Sequence, residues 1–151
     1  MNKDPCNVVV CGVGGQGNVV ASQLMGAILV GQGFKVTIGE TYGASQRGGS
    51  VMSHVRISRT LQLGPLMPPR AAHLVIALEP SEAARVLAQF GNPETVSVVN
   101  TRPVHPVDVI AGDIPYPDMD ALLNKIKSLS AKSYFVQATD RALELGNPIL
   151  A

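Results

Sequence analysis

Short, almost wholly apolar runs alternate along the chain with stretches broken by glycine or proline, and this alternation sets the elements. Asn7 to Cys11 is a mostly β-branched run of the kind buried on both faces of a parallel sheet. It leads into Gly12-Val-Gly-Gly-Gln-Gly17 and then a helix predicted over residues 16–31, where Val19, Val20, Leu24, Ala27 and Ile28 recur every three or four positions as an apolar stripe. Gly31 and Gly33 end that helix, and Lys35 to Ile38 reads as a second strand, so the opening forms a β-α-β unit with a right-handed crossover.

Residues 39–50 have the composition of a loop, and Val51 to Ile57 resumes as an alternating strand. Val51, Ser53, Val55 and Ile57 point one way; Met52, His54 and Arg56 point the other, a face expected to meet polar surroundings or a partner. Residues 61–70, with prolines at 65, 68 and 69, form an irregular excursion before the apolar strand Leu74 to Leu78. Ser81 is placed as the cap of a helix through Phe90, and Thr95 to Val99 is the next buried strand. Prolines at 103, 106, 115 and 117 impose turning backbone, within which Val107 to Ile110 is assigned as a strand. A helix at 118–129, a strand at 134–137 and a helix at 139–145, ended by Gly146-Asn-Pro148, complete the pattern. The fold class is α/β: a Rossmann-like, mostly parallel sheet flanked by helices in a single domain spanning 1–151. The apolar Ile149-Leu-Ala151 carries no helix-ending signal, so a further C-terminal helix is expected beyond it.

Composition narrows the function classes. A chain of 151 residues, 46% hydrophobic and 15% charged, can build one proper core. A formal charge of +1 without basic tracts gives no footing for nucleic acid or an anionic membrane. Apolar runs stop short of membrane-spanning length and Met1-Asn-Lys-Asp-Pro5 lacks the order of a signal peptide, so a cytoplasmic location is expected. Two cysteines, Cys6 and Cys11, are too few for a four-cysteine cluster or zinc site and read as buried or half-buried thiols. An aromatic content of 4% with no tryptophan fits an aliphatic core, and an exposed apolar face would suit a subunit of a larger assembly.

Gly12, Gly14 and Gly17 make a GxGxxG-type turn between strand and helix, where bare backbone N–H groups can meet a phosphate or carboxylate. The same spacing also serves close helix–strand packing, and both readings stay open. Glu40 sits where a dinucleotide-binding fold holds ribose hydroxyls, which keeps an NAD(P)- or flavin-binding oxidoreductase as an alternative. A plain dinucleotide fold has no use for the next segment, Glu40-Thr-Tyr-Gly-Ala-Ser-Gln-Arg-Gly-Gly-Ser-Val51. Its Gly43, Gly48 and Gly49 allow close backbone approach, Ser45 and Gln46 offer hydrogen bonds, and Arg47 supplies a fork for phosphate or carboxylate. A structured turn with Arg47 paired to Glu40 is the other reading.

Together GVGGQG, ETYGASQRGGSVMSHVR and a strand closing on ALEP resemble the gamma-type domain of the 2-oxoacid:ferredoxin oxidoreductases, in particular the small subunit of the indolepyruvate type, from about Asn7 to Asn147. Tyr42 stands where the family often has His, and His73 where an acid often precedes the ALEP strand. The resemblance implies oxidative decarboxylation of a 2-oxoacid on thiamine diphosphate, electron transfer through iron–sulfur clusters to ferredoxin, and acyl transfer to coenzyme A. This chain lacks the GDG and downstream Asn-Asn of a thiamine diphosphate and magnesium site, Ala111-Gly-Asp113 being a fragment, and it lacks cluster cysteines. Thiamine diphosphate, Mg and [4Fe-4S] clusters are therefore expected on a large partner subunit, with ferredoxin reached indirectly. For this chain the resemblance leaves an anion-receptive edge built from Gly12, Gly14, Gly15, Gln16 and Gly17 with Ser45, Gln46, Arg47, Gly48 and Gly49, contacting coenzyme A or closing over the partner's active site. A purely architectural interface, with both loops serving subunit contact, is the third reading. No catalytic or metal-ligating residue is assigned: His54 and His105 read as packed or surface histidines, and Asp140 and Arg141 as a helix cap and a solvated charge.

Overall fold

A computed structural model describes residues 3–43, 49–105, 107–113 and 115–146. The run of valines forms β1 (Cys6–Val13), and the glycine turn leads into α1 (Asn18–Gly31) and then β2 (Lys35–Tyr42). Next come β3 (Ser50–Ser58), β4 (Leu74–Ala77), α2 (Pro80–Phe90), β5 (Val96–Asn100), α3 (Val107–Ala111), α4 (Met119–Ser128), β6 (Lys132–Val136) and α5 (Ala138–Glu144). Among the described residues six strands form one sheet, ordered β2-β3-β1-β4-β5-β6. β3 alone runs antiparallel to its neighbours, so the sheet is mixed but mostly parallel, as the sequence pattern predicts.

β3 changes the opening unit. It pairs with both β1 and β2 and lies between them, so the β-α-β connection joins strands that do not touch. The loop expected at 39–50 is shorter than predicted, because β2 continues through Tyr42 opposite Val51 and gains ladder hydrogen bonds that local sequence does not reveal. The supposed polar face of β3 is also buried. Met52 and His54 lie beneath α2, with the His54 ring edge-on to Phe90 at 5.0 Å between centroids. Arg56 reaches over the same face to bond the Gly64 and Leu66 carbonyls at 3.1 and 3.2 Å, drawing the proline-rich excursion onto the sheet. Gly39 makes room for that excursion: a Cβ there would stand 2.5 Å from the Pro65 carbonyl oxygen.

Two apolar clusters sandwich the sheet. Val9, Cys11, Val75, Ala77 and Val99 meet Val86 and Leu87 of α2 and Leu122 and Ile126 of α4 on one face. Val8, Val10, Val55 and Ile57 meet Met25 and Leu29 of α1 on the other. The predicted stripe on α1 is not its core face: Val20, Leu24, Ala27 and Ile28 are exposed, while Asn18, Ser22 and Gly26 are buried. Those small residues let the helix come close to the sheet, where a Cβ on Gly26 would lie 2.8 Å from Ile38 Cδ1. Glu79, not Ser81, caps α2; its carboxylate accepts from the Glu82 N–H at 2.9 Å, because Pro80 occupies the first helical position. Residues 107–111, assigned as a strand, form the short helix α3, while the place beside β5 is taken by β6. Asp118 caps α4 by accepting from Ala121 N–H at 2.9 Å. Cys11 is buried and Cys6 half-buried, both as free thiols, in line with their sequence reading.

Two histidines are held neutral inside this fold. Burial, aided by positive Arg56, pushes His54 below the ordinary histidine value. Burial and Lys3 do the same to His73, against a smaller opposite pull from Glu94, and His73 Nδ1 accepts the Asn7 N–H at 2.9 Å, which an imidazolium cannot do. With folded values below the unfolded one, the unfolded chain takes up protons first as pH falls. Stability is therefore full above about pH 6.5 and declines from there down through the lowered values. Urea midpoints near pH 7.5 and 5.5 check this: the midpoint is expected to drop at the lower pH, and an equal or higher one contradicts the assignment.

Candidate functional site

Both glycine segments arrive at the same place. The antiparallel register pairs Val13, the last residue of β1, with Ser50, the first of β3, so the turn after β1 faces the segment before β3. The Gly14 N–H donates to the Gly49 carbonyl at 2.8 Å and ties the two backbones together. Of the predicted site, Gly12, Gly14, Gly15, Gln16, Gly17 and Gly49 are thus gathered at the carboxyl end of β1. Ser45, Gln46, Arg47 and Gly48 lie outside the described residues, and with them the pairing of Arg47 to Glu40.

The turn has an inward and an outward half. Gly12 is buried, and a Cβ on it would stand 2.6 Å from Gln16 Oε1, 2.7 Å from Asn18 Oδ1 and 3.1 Å from Leu78 Cβ. Gln16 spends its side chain indoors, accepting from Val13 N–H at 2.7 Å and donating to the Leu78 carbonyl at 3.0 Å. Asn18 Nδ2 reaches the Val13 carbonyl at 3.3 Å. Gly15 and Gly17, by contrast, take φ of 100° and 84°, with nothing within 4 Å of where a Cβ would be. Gly17 caps α1 without a side-chain bond, and no acidic residue stands in the helix's first turn, so the positive end of the helix dipole is left uncompensated. A cleft of about 360 Å³ opens there, lined by Gly14, Gly15, Gly17, Val19, Tyr42 and Val51. Its backbone donors suit an anion or a polar chain.

Neighbouring polar groups are bound to one another. Tyr42 donates its hydroxyl to Glu40, which raises the phenol's pKa. Ser50 Oγ donates to Glu82 Oε2 at 2.6 Å, and Arg85 bonds Glu82 at 2.7 Å and also Ser50. These contacts seat the start of β3 against α2. Sequence reading missed Glu79, which is fully buried and accepts from Glu82 N–H, Ser81 Oγ and the Tyr116 hydroxyl. Burial and that bond push the Tyr116 phenol far up. Pro80 directly after an acid is the signal that could have identified this cap.

Three chemistries fail a fit here. Burial, together with negative Glu82, drives the Cys11 thiol upward, away from the reactive thiolate form. Among the described residues no three His, Cys, Asp or Glu side chains gather as a metal site, and no helix is long and apolar enough to cross a membrane. A dinucleotide would need Glu40 on the strand beside β1, but β3 intervenes and adds about 4.8 Å of separation. His54 is packed, His105 rests against the Tyr116 ring at 5.1 Å, Asp140 lies 3.5 Å from Arg102, and Arg141 pairs with Glu144 at 2.7 Å.

The family model described as pyruvate ferredoxin/flavodoxin oxidoreductase matches residues 7–151. The chain belongs to this family. An indolepyruvate oxidoreductase subunit IorB from Archaeoglobus fulgidus is 39% identical over 141 residues, 93% of this chain and 69% of that protein. One from Methanothermobacter thermautotrophicus is 33% identical over 93% of this chain and 70% of its own length. Among solved structures, pyruvate oxidoreductase subunit PORC of Thermotoga maritima superposes with a TM-score of 0.68 at 19% identity, over 98% of this chain and 71% of that one. The 2-oxoglutarate:ferredoxin oxidoreductase of Magnetococcus marinus, holding 2-oxoglutarate, coenzyme A and succinyl-CoA, gives 0.67 at 20% identity, over 98% of this chain and 22% of that one. These structural likenesses establish the shared fold.

Three substitutions test the division of the turn and its anchor. Gly12→Ala is expected to cost about 1–3 kcal/mol, since Gln16, Asn18 and Leu78 are all fixed, whereas Gly31→Ala, with open space around it, stays within about 0.5 kcal/mol. Urea denaturation of both variants reads the difference, and equal costs would refute the inward role of Gly12. Tyr116→Phe, which leaves the buried Glu79 one donor short, should lose about 1–3 kcal/mol in the same assay.

Proposed function

We propose that this chain is the small subunit of an indolepyruvate-type 2-oxoacid:ferredoxin oxidoreductase, forming one domain over residues 1–151, and that its glycine cleft contacts coenzyme A. The observation that carries the cleft assignment is the Gly14 to Gly49 hydrogen bond, which joins two bare-backbone segments beside an open helix N-terminus. Family membership and the IorB relatives support the subunit reading. A cleft of about 360 Å³ has room for part of coenzyme A, its diphosphate or pantetheine arm, with the remainder extending toward the partner. Arg47, from the adjoining segment, is the side chain we assign to a phosphate.

The rest of the reaction belongs to the larger subunit in this reading. Thiamine diphosphate with Mg and the [4Fe-4S] clusters sit there, and ferredoxin receives its electrons from that subunit. Only Cys6 and Cys11 are available here, and Cys11 is sealed in the core. The complex works in the cytoplasm.

Kinetics of the co-expressed complex test the cleft. Gly15→Asn keeps the residue type that best tolerates positive φ after glycine but puts a side chain into the opening. The KM for coenzyme A is expected to rise at least about tenfold, with kcat changed less than about twofold, and Arg47→Ala should act in the same direction. An unchanged KM in both variants would return the loops to pure subunit contact. Oxidation of a 2-oxoacid by the purified small chain without its partner would contradict the subunit reading itself.

A further inference from the structure

Beside the glycine cleft lies a second, smaller hollow. Ser50 follows Gly49 directly, and its hydroxyl donates to Glu82 Oε2 at 2.6 Å while accepting from Arg85 Nη2. Arg85 Nε and Nη2 also donate to Glu82 Oε2, at 3.0 and 2.7 Å, which fixes the guanidinium plane against the start of β3. Among the described residues its Nη1 meets no acceptor, so one edge of an oriented fork of N–H donors is left over. The hollow, of about 200 Å³, is lined by Thr41, Tyr42, Gly43, Ser50, Met52 and Arg85. Met52 belongs to the α2 face of the sheet and Val51, by alternation, to the α1 face, so the hollow and the glycine cleft flank the same strand ends, and Tyr42 borders both.

Glu82 orients this cation without hiding it. The Arg85 side chain is 42% exposed and the Glu82 side chain 13%, so a molecule entering the hollow meets the positive partner. Glu82 also stands in the first turn of α2, where the positive helix end compensates part of its charge. A phosphomonoester matches such a fork, because it offers two oxygens side by side and carries nearly two charges at neutral pH. A diphosphate is instead suited to the bare N–H groups at the start of α1. The two places are close: the Gly14 N–H bonds the Gly49 carbonyl at 2.8 Å, Ser50 is next along the chain, and Arg85 sits on its hydroxyl, which puts roughly 10 Å between the glycine N–H and the guanidinium. In coenzyme A one ribose joins the 3′-phosphate to the diphosphate, a comparable reach.

We propose that Arg85, held by Glu82 and Ser50, binds the 3′-phosphate of coenzyme A and so sets a preference for this thiol over its dephospho form. The inference rests on the coenzyme A reading of the glycine cleft and gives the ligand a direction. The diphosphate lies at the start of α1, the adenosine end crosses the Gly14 to Gly49 bridge toward α2, and the pantetheine arm leaves the other way.

Initial rates of the co-expressed complex with coenzyme A and with 3′-dephospho-coenzyme A test this. The wild type should show a KM about tenfold higher for the dephospho form, the loss of one charge-assisted contact. Arg85→Gln should raise the KM for coenzyme A to that level while moving the dephospho value less than about twofold, whereas a residue that only seats β3 would raise both together. Inhibition needs no variant: adenosine 3′,5′-bisphosphate should compete with coenzyme A about tenfold more tightly than adenosine 5′-monophosphate does. Equal KM values for the two thiols in the wild type, equal inhibition by the two nucleotides, a parallel rise of both KM values in Arg85→Gln, or no rise in either overturns the proposal. In each of those cases Gly15→Asn judges the cleft separately: a higher KM for both thiols in that variant keeps the coenzyme A reading, and unchanged values remove it as well.

Discussion

Antiparallel insertion of β3 between β1 and β2 is the constraint on which the functional edge depends. Parallel strands joined by helices bring to the carboxyl end of the sheet only turns that leave a strand, never a segment that enters one. Because β3 runs the other way, it begins where β1 finishes, and Ser50 meets Val13. The segment before β3 and the turn after β1 are thereby forced together, and a single backbone bond from Gly14 to Gly49 is enough to join them. The insertion also displaces β2 outward, which removes Glu40 from the position a ribose would require.

Much of this was legible in the sequence, and the parts that were not share a cause. β1, β4, β5 and α4 follow from local runs of apolar residues and caps, since their burial is set by neighbours in the same α/β alternation. The length of β2 and the burial of His54 depend on a nonlocal partner, so composition read 39–50 as loop although Tyr42 still pairs with Val51. α1 misled for a different reason. Its apolar residues surround the whole helix, so a stripe can be drawn at several angles, and the core face turned out to be the small one, Asn18, Ser22 and Gly26. Ser81 and Glu79 are both plausible caps, and only the geometry of Pro80 decides between them.

At the glycine turn, sequence marked the bend but not the division of labour within it. GxGxxG spacing is compatible with both ligand approach and close packing, and the structure packs one of its glycines closely while leaving open space beside others. Gly12 is a packing glycine, pressed by Gln16 and Asn18, whereas Gly15 and Gly17 supply the backward-turned backbone that leaves the helix end bare. Gln16 looked like a ligand donor and instead stitches β1 to the end of β4 through the Leu78 carbonyl. The inward half fixes the position of the outward half, so the shape of the cleft depends on Gly12 and Gln16, which do not line it.

The distribution of reactive groups then explains why such a domain belongs in a larger enzyme. Its buried thiol is pushed toward the neutral form, its buried carboxylate Glu79 is spent on three donors, and buried His54 and half-buried His73 are both pushed toward the neutral imidazole. Buried polar groups such as Asn7, Gln16 and Glu79 spend their hydrogen bonds on holding strands, turn and helix together. Among the described residues of the cleft, what is left to meet another molecule is backbone: N–H groups at the start of α1 and the bend that adjoins them. Backbone donors can bind and orient an anion but cannot carry an electron or take a proton from carbon. A cleft built this way is suited to binding and alignment, which is the part that the small-subunit reading assigns to it.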